Sequence, residues 1–242
     1  MEPKPYLREV SLQQYDASNV VGYPFNIPAI AKLGTLKFHP DVTFFVGENG
    51  TGKSTVLEAI AVAMGFGQEG GTKNMLFETA DTVSPLHDHL RTVRGHRRPS
   101  DWFFLRAESF YNMATYADEV GGPALDAYGG ISLHHRSHGE AFLAVLNEKL
   151  GGSGLYLFDE PEAALSPTRQ MSALASIDRL VKASSQFIIA THSPILLAYP
   201  RSKIVLFDEN GVREVRYEDT EHYAVTKRSL NDYQAMMRQL LQ

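Results

Sequence analysis

The sequence has 242 residues, of which 43% are hydrophobic, so it can bury the core of one α/β domain. Its 23 basic and 28 acidic side chains give a formal charge of -5, which argues against a constitutive nucleic-acid binder but permits a local basic patch. The lack of cysteine excludes disulfides and thiol chemistry, and the lack of a leader or of ~20 consecutive apolar residues predicts a cytoplasmic protein without membrane insertion.

The first clear pattern in the chain is a strand, loop and helix unit. Residues 36–46 are typical of a strand that enters a Gly-rich turn, and the Ala-rich run 54–64 has helical apolar spacing. This arrangement predicts a ligand-binding turn at the start of a helix.

Two later apolar runs, 155–158 and 186–190, are short and continuous, as expected for parallel strands covered on both faces. Helical patterns at 140–150 and 168–182 precede them. Because strands and helices alternate, the sequence predicts βαβ crossovers and an α/β fold, with residues 1–242 as one domain.

Between these regions the regular pattern breaks up. Gly-rich stretches flank an Arg-rich segment, which predicts an inserted, mostly helical subdomain at about residues 66–135. Further on, runs 203–207 and 212–217 flank an Asn-Gly pair and predict a hairpin. A final amphipathic helix is expected over about 219–241.

The Gly-rich turn fits the P-loop pattern, in which backbone N–H groups cradle phosphate oxygens. Lys53 would place its charge against the β and γ phosphates, and Ser54 would offer a hydroxyl to Mg²⁺. The predicted nucleotide-binding and P-loop residues are Gly47, Glu48, Asn49, Gly50, Thr51, Gly52, Lys53, Ser54 and Thr55.

A pair of carboxylates, Asp159 and Glu160, ends the buried run 155–158. The carboxyl ends of strands in an open α/β sheet are where ligands bind. Beside a P-loop, Asp159 is expected to bind the magnesium shell, and Glu160 to take a proton from the attacking water. Alternatively, the pair simply caps the element that begins at Pro161.

His192 follows the third predicted strand, 186–190, at the same sheet edge. There it could donate to the γ phosphate and sense its loss, which makes it a catalytic candidate together with Glu160 and Lys53. A histidine at a strand end is otherwise a packed or solvated residue.

In this order, the P-loop at 47–54, the acidic strand end at 159–160 and the Thr-His-Ser-Pro segment at 191–194 resemble the ATP-binding cassette (ABC) superfamily. The resemblance is to its soluble branch of small ATPases related to SMC-type and overcoming-lysogenization-type proteins, and it covers nearly the whole chain. It implies a P-loop NTPase of ABC-ATPase type: a mostly parallel central sheet with flanking helices, an N-terminal antiparallel β portion and the inserted helical subdomain.

The family's signature segment, usually Leu-Ser-Gly-Gly-Gln, corresponds here to Arg136-Ser137-His138-Gly139-Glu140. The resemblance implies that Ser137 and Gly139 bind the γ phosphate of a nucleotide held by a second copy. The glutamine and the first glycine are replaced, although Ser-His-Gly-Glu looks like a variant of the soluble branch. Residues 164–167 look like the D-loop, which touches the opposite site.

The family's Q-loop, which links the γ phosphate to the helical subdomain, should follow a strand in this region, and residues 103–108 are the end of a plausible one. No glutamine stands there, and Glu108 is the candidate for this role and for the magnesium shell. A solvated glutamate at a strand end would look the same. Tyr15 or Tyr23 could stack on adenine.

A cluster of histidines and a cluster of arginines could each bind a ligand, but each also has an ordinary structural interpretation. His134, His135 and His138 lack the spacing and carboxylate support of a metal site. A second cluster, made up of Arg91, Arg94, Arg97 and Arg98, could grip a phosphate backbone, but a charge run is more often a solvated surface.

The predicted function is therefore ATP hydrolysis with Mg²⁺, coupled by the resemblance to head-to-tail homodimerisation. The output is expected in genome maintenance or phage defence, with DNA or a protein as partner. A membrane-transporter motor and a nucleotide-dependent scaffold with little turnover are the alternatives.

Overall fold

The computed structural model describes residues 4–13, 22–67, 71, 84–106 and 110–241. The bounds of its strands are β1 Leu7–Leu12, β2 Thr35–Lys37, β3 Val42–Val46, β4 Leu90–Arg94, β5 Asp101–Arg106, β6 Gly154–Asp159, β7 Gln186–Ala190, β8 Ser202–Asp208 and β9 Gly211–Val215.

The α-helices are α1 Pro28–Ala31, α2 Lys53–Ala63, α3 Phe110–Val120, α4 Pro123–Asp126, α5 His138–Ala144, α6 Pro167–Lys182, α7 Pro194–Leu197, α8 Glu221–Asn231 and α9 Tyr233–Leu240. Tighter 3₁₀ turns occupy Pro85–His89, Leu133–His135, Pro161–Ala164 and Tyr217–Asp219, and α5 continues as a π-helix over Val145–Lys149.

The six-stranded main sheet has the order β5-β6-β7-β3-β8-β9 and is parallel except for β9, which pairs antiparallel with β8. The small antiparallel sheet has the order β2-β1-β4. This mixed α/β architecture, with its N-terminal antiparallel part, confirms the predicted fold class.

Alternate residues of the central strands feed two hydrophobic layers. On β3, Phe44 belongs to the layer that also contains α5 and α6, whereas Phe45 belongs to the layer with α2 and the small sheet. All five residues of β3 are buried, as are all five of β7. This two-sided burial explains why both strands are continuous apolar runs rather than alternating ones.

Gln186, a polar residue in the buried strand β7, joins the two sheets. Its Oε1 accepts from the backbone N–H groups of Tyr6 and Leu7, both at 2.9 Å, and its Nε2 donates to the carbonyls of Leu7 and His39. Every hydrogen-bonding direction of this buried amide is used, so the N-terminal strand is held against the main sheet.

Several predicted boundaries are corrected by the structure. The strand expected at 36–46 is two strands in different sheets, since Pro40 between β2 and β3 has no N–H to continue a ladder. The final helix is interrupted at Asp232, whose backbone leaves the helical region (φ -151°, ψ 65°) and whose side chain caps α9 through the N–H of Ala235.

The inserted segment is also less helical than predicted for residues 66–135. β4 pairs with β1, about 80 residues earlier, and β5 pairs with β6, about 50 residues later. Because the partner strands are so distant in sequence, the local pattern does not indicate that these segments are strands. The Arg-rich stretch was therefore not predicted to contain a strand. Among the described residues the helices of this segment begin at 110.

Candidate nucleotide site

The P-loop lies between β3 and α2, as its sequence predicts. Gly47 has a φ of 142°, and a Cβ there would lie 2.2 Å from the backbone oxygen of Phe207 on β8. Gly52 is in the left-handed region at φ 95° and immediately precedes α2. Glycine is needed at both positions because a side chain would be strained or would strike its neighbours.

Lys53 is the first residue of α2, and its ammonium donates to the carbonyls of Gly47 and Glu48, each at 2.8 Å. Although it directly follows the turn, the residue is only 5% exposed. Burial lowers the pKa of Lys53, and the carboxylates of Glu160 and Asp159 oppose that effect. The ammonium is thus held inside the turn where phosphate oxygens would replace the two carbonyls as its partners.

Ser54 and Asp159 meet across the site. The Ser54 hydroxyl donates to Asp159 Oδ1 at 2.9 Å, joining the start of α2 to the end of β6. One hydroxyl and one carboxylate are hard oxygen ligands of the kind Mg²⁺ uses when nucleotide phosphates and water complete its shell. The residues present therefore fit the predicted ion.

A cavity of about 370 Å³ opens above the P-loop. It is lined by Tyr23, Ile27, Asn49, Gly50, Gly52, Lys53, Ser54, Thr55 and Glu160. Tyr23 is 63% exposed, and its hydroxyl is 3.1 Å from Thr55 Oγ1. Among the described residues, Tyr23 supplies the aromatic ring that lines this cavity. Tyr15 and Glu108, the other candidates named from the sequence, lie outside the described residues.

Glu160 adopts an unusual backbone conformation for a residue with a side chain, with φ 49° and ψ 51°. Its N–H donates to the carbonyl of Ala190 on β7, which holds the conformation in place. A left-handed residue other than glycine is strained, and such strain clusters at functional positions. Its carboxylate faces the cavity, with Oε1 3.6 Å from His192 Nε2.

The buried carboxyl of Glu162 was missed by the sequence argument. Its Oε1 accepts the backbone N–H of His192, and burial raises the pKa of Glu162. Ser193 holds the other side of this segment, because its hydroxyl accepts from the N–H groups of Ile195 and Leu196 at the start of α7. The loop that carries His192 is thus fixed from both sides. The signal in the sequence that could have identified Glu162 was the presence of a further acidic residue directly after Pro161.

Ser137 and Gly139 lie at the start of α5, outside the lining of the P-loop cavity. Ser137 caps α5 and forms a capping box with Glu140, the residue in place of the family's glutamine. Arg169, which the sequence argument also missed, donates to Ser137 Oγ at 2.8 Å and to Glu140 at 3.1 Å. A Cβ on Gly139 would lie 2.6 Å from Arg169 Nη1 and 2.9 Å from the Ala164 carbonyl, so only glycine fits between these neighbours.

The four arginines of the Arg-rich segment are all exposed. Arg94 donates to the carbonyl of Ala63 at 3.0 Å and so ties β4 to the end of α2. The other three are Arg91, Arg97 and Arg98.

Solved structures with a similar fold are ABC ATPase domains. CbiO1 from Clostridium perfringens, part of the ABC transporter complex CbiONQ, superposes with a TM-score of 0.51 at 16% identity, over 98% of this chain and 99% of that one. The dimeric structure of MJ0796, a bacterial ABC transporter cassette, gives 0.51 at 13% identity, over 88% of this chain and 99% of that one. At these identities the likeness shows the fold.

Two family models match separate parts of the sequence. Residues 25–93, which include the whole P-loop, match the family described as "AAA domain". Residues 141–198, which include Glu160 and His192, match the one described as "AAA domain, putative AbiEii toxin, Type IV TA system". Both matches fit a chain of ABC/AAA ATPase type.

The chain is also 26% identical over 200 residues to translation initiation factor RLI1 of Chaetomium thermophilum. The match covers 76% of the chain and 31% of RLI1, so the chain spans about a third of that relative's length.

Gly47 and Gly50 offer a matched test of the P-loop geometry. Both have positive φ, at 142° and 79°, but a Cβ on Gly50 would meet nothing within 4 Å. We expect Gly50→Ala to cost about 1 kcal/mol of backbone strain and Gly47→Ala about 3 kcal/mol or more, because the added methyl also collides with β8. Urea unfolding of the two variants measures the difference, and equal losses would contradict the close approach of the turn to Phe207.

Proposed function

We propose that this chain binds ATP with Mg²⁺ in the P-loop cavity and hydrolyses it. The observation that carries the proposal is that one cavity brings Lys53 and Ser54 together with Glu160. A phosphate cradle and a carboxylate that can accept a proton are the two parts that phosphoryl transfer to water requires.

The P-loop residues account for binding. The N–H groups of the turn and the start of α2 would hold the phosphate oxygens, and Lys53 would neutralise the β and γ phosphates. Ser54 and Asp159 would hold Mg²⁺, which supplies Lewis-acid neutralisation of the phosphate charge when bound. Tyr23, at the rim of the cavity, is our candidate for the adenine contact.

Glu160 and His192 would carry the hydrolytic step. The Glu160 carboxylate would take a proton from water as the water oxygen attacks the γ phosphorus, and the bond from that phosphorus to the bridging oxygen of ADP breaks. His192 Nε2, 3.6 Å from Glu160, would donate to a γ phosphate oxygen. The strained backbone of Glu160 supports this assignment over simple capping of the 3₁₀ turn.

We propose further that ATP closes a head-to-tail dimer. Ser137 and Gly139 do not line the P-loop cavity of their own chain, so neither is placed to contact a nucleotide held in that cavity. A second copy that presents its Ser137 would complete the site. Nucleotide held between two chains stabilises the dimer by mass action.

The biological output we favour is genome maintenance or phage defence. The family that residues 141–198 match carries the description "AAA domain, putative AbiEii toxin, Type IV TA system", and this description supports a defence role. No helix in the described part of the chain is long and apolar enough to cross a membrane. A transporter motor, which would bind membrane subunits, and a scaffold with little turnover are the other candidates.

Steady-state phosphate release, measured with and without duplex DNA, tests the proposed activity. We expect Mg²⁺-dependent release by the wild-type chain and loss of that release in Glu160→Gln. Stimulation by DNA would favour genome maintenance, and nucleotide binding without turnover would leave the scaffold function.

The exposed arginines give a prediction for DNA. If they meet the phosphate backbone, changing Arg97 and Arg98 to Glu should abolish binding and flatten its dependence on salt, because neutralised phosphates set that slope. Arg94 is left unchanged because it ties β4 to α2. Titration of labelled duplex over a series of salt concentrations is the measurement, with Lys182→Glu on α6 as the control. Unchanged binding would make this cluster a solvated surface.

A further inference from the structure

A second histidine contacts His192 from the C-terminal part of the chain. His222 lies in the first turn of α8, and its Nε2 is 3.1 Å from Nδ1 of His192. The two rings are 5.2 Å apart between centroids. The distance is that of a hydrogen bond, so one of these two nitrogens carries the shared hydrogen and the other accepts it.

The start of α8 is anchored so that His222 reaches this position. Thr220 is buried and caps the helix by accepting from the N–H of Tyr223, while its hydroxyl donates to the Tyr217 carbonyl. Tyr217 in turn donates from its hydroxyl to the carbonyl of Pro194, two residues after His192. These bonds attach α8 to the same loop that carries His192.

The surroundings decide which histidine donates. His192 Nε2 is buried, has no hydrogen-bond partner among the described residues and faces Glu160 Oε1 at 3.6 Å. A hydrogen on Nε2 would be attracted to that carboxylate, whereas a lone pair there would be repelled by it. With its hydrogen on Nε2, a neutral His192 must accept at Nδ1, and His222 must donate.

We propose that His222 is a positioning residue: its Nε2–H donates to Nδ1 of His192 and holds His192 in the tautomer whose Nε2–H faces Glu160. This proposal rests on the proposed function for its effect on hydrolysis, since only the Nε2–H tautomer can donate to a γ phosphate oxygen. The tautomer itself is a property of the protein without nucleotide.

The surroundings of both rings favour the neutral form that this arrangement requires. Burial lowers the pKa of His192 and of His222, and the nearby Lys53 ammonium lowers both further. Glu48 acts in the opposite direction on both rings, Glu160 on His192 and Glu221 on His222. A second proton on His192 would remove its acceptor nitrogen, and a second proton on both rings would set two cations side by side.

Replacing His222 by Leu or by Gln separates positioning from packing. Leu has no donor for Nδ1, whereas the amide N–H₂ of Gln extends to about the place of the imidazole Nε2–H. We expect His222→Leu to lower kcat about 3- to 10-fold, the loss typical of one hydrogen bond, and His222→Gln to restore most of it. Lys227→Leu on the exposed side of α8 is the matched control, and thermal melts check that each variant folds.

The decisive readout is the ¹⁵N NMR spectrum of the His192 imidazole in the protein without nucleotide. We expect one tautomer, hydrogen on Nε2, in the wild type and in His222→Gln, and a mixture of tautomers in His222→Leu. An unchanged single tautomer in His222→Leu would overturn the proposal even if ATP is hydrolysed normally. Absence of hydrolysis by the wild-type chain would instead overturn the proposed function, and the tautomer populations would still decide the role of His222.

Discussion

Glu160→Gln should reduce ATP hydrolysis by ~10²–10⁴-fold while ATP still binds, because glutamine keeps the shape of the side chain but cannot accept the proton from water. The backbone of Glu160 is held by the bond from its N–H to Ala190, which the substitution leaves in place. Single-turnover phosphate release gives the chemical step, and nucleotide titration gives binding.

Glu162→Gln is the control for Glu160→Gln. It makes the same change of carboxyl to amide two residues away, on a half-buried side chain that binds the His192 backbone and does not line the cavity. A much smaller loss of hydrolysis is expected there. Equal losses in the two variants would contradict the assignment of the base to Glu160.

Lys53→Ala should weaken ATP binding by about 10- to 100-fold, since hydrogen bonds to charged groups contribute about 1.5–3 kcal/mol. Thermal stability is a second readout, because ATP that binds only the native state raises the melting temperature by an amount that grows with the logarithm of its concentration divided by Kd. We expect Mg²⁺ and ATP to raise the melting temperature of the wild type and to leave that of Lys53→Ala nearly unchanged.

Lys37→Ala, at an exposed position of β2, is the matched control for Lys53→Ala. It removes the same charge from the protein but should keep the full thermal shift. Normal ATP affinity in Lys53→Ala would rule out the P-loop as the phosphate site.

The parts of this molecule that local sequence predicted are those in which chemistry and conformation occupy one short segment. The P-loop needs its glycines at fixed spacing, and the buried strands β6 and β7 are apolar on both faces, so both features are visible within ten residues. The ABC-type fold follows from the order of these segments.

Contacts made at long range were not visible in the same way. Arg169 meets Ser137 from 32 residues away, and His222 meets His192 from 30 residues away. Neither partner belongs to a motif of its own, and nothing in the local pattern indicates the pairing. The burial of Lys53 was missed for a related reason: the carbonyls that bind its ammonium belong to the turn itself, so the side chain folds inward.

The central claim is that ATP closes two chains around a site that one chain leaves incomplete. Light scattering of Glu160→Gln with Mg²⁺ and ATP tests it, with Glu160→Gln/Ser137→Arg as the comparison, because the added cation would occupy the place where the partner's γ phosphate docks. Ser137 also caps α5, a contribution of about 1 kcal/mol, so a thermal melt must show that the double variant is folded. We predict twice the 26.9 kDa of one chain for Glu160→Gln and a single chain for the double variant. A Glu160→Gln protein that stays monomeric with ATP bound, or a double variant that dimerises equally well, would contradict the account.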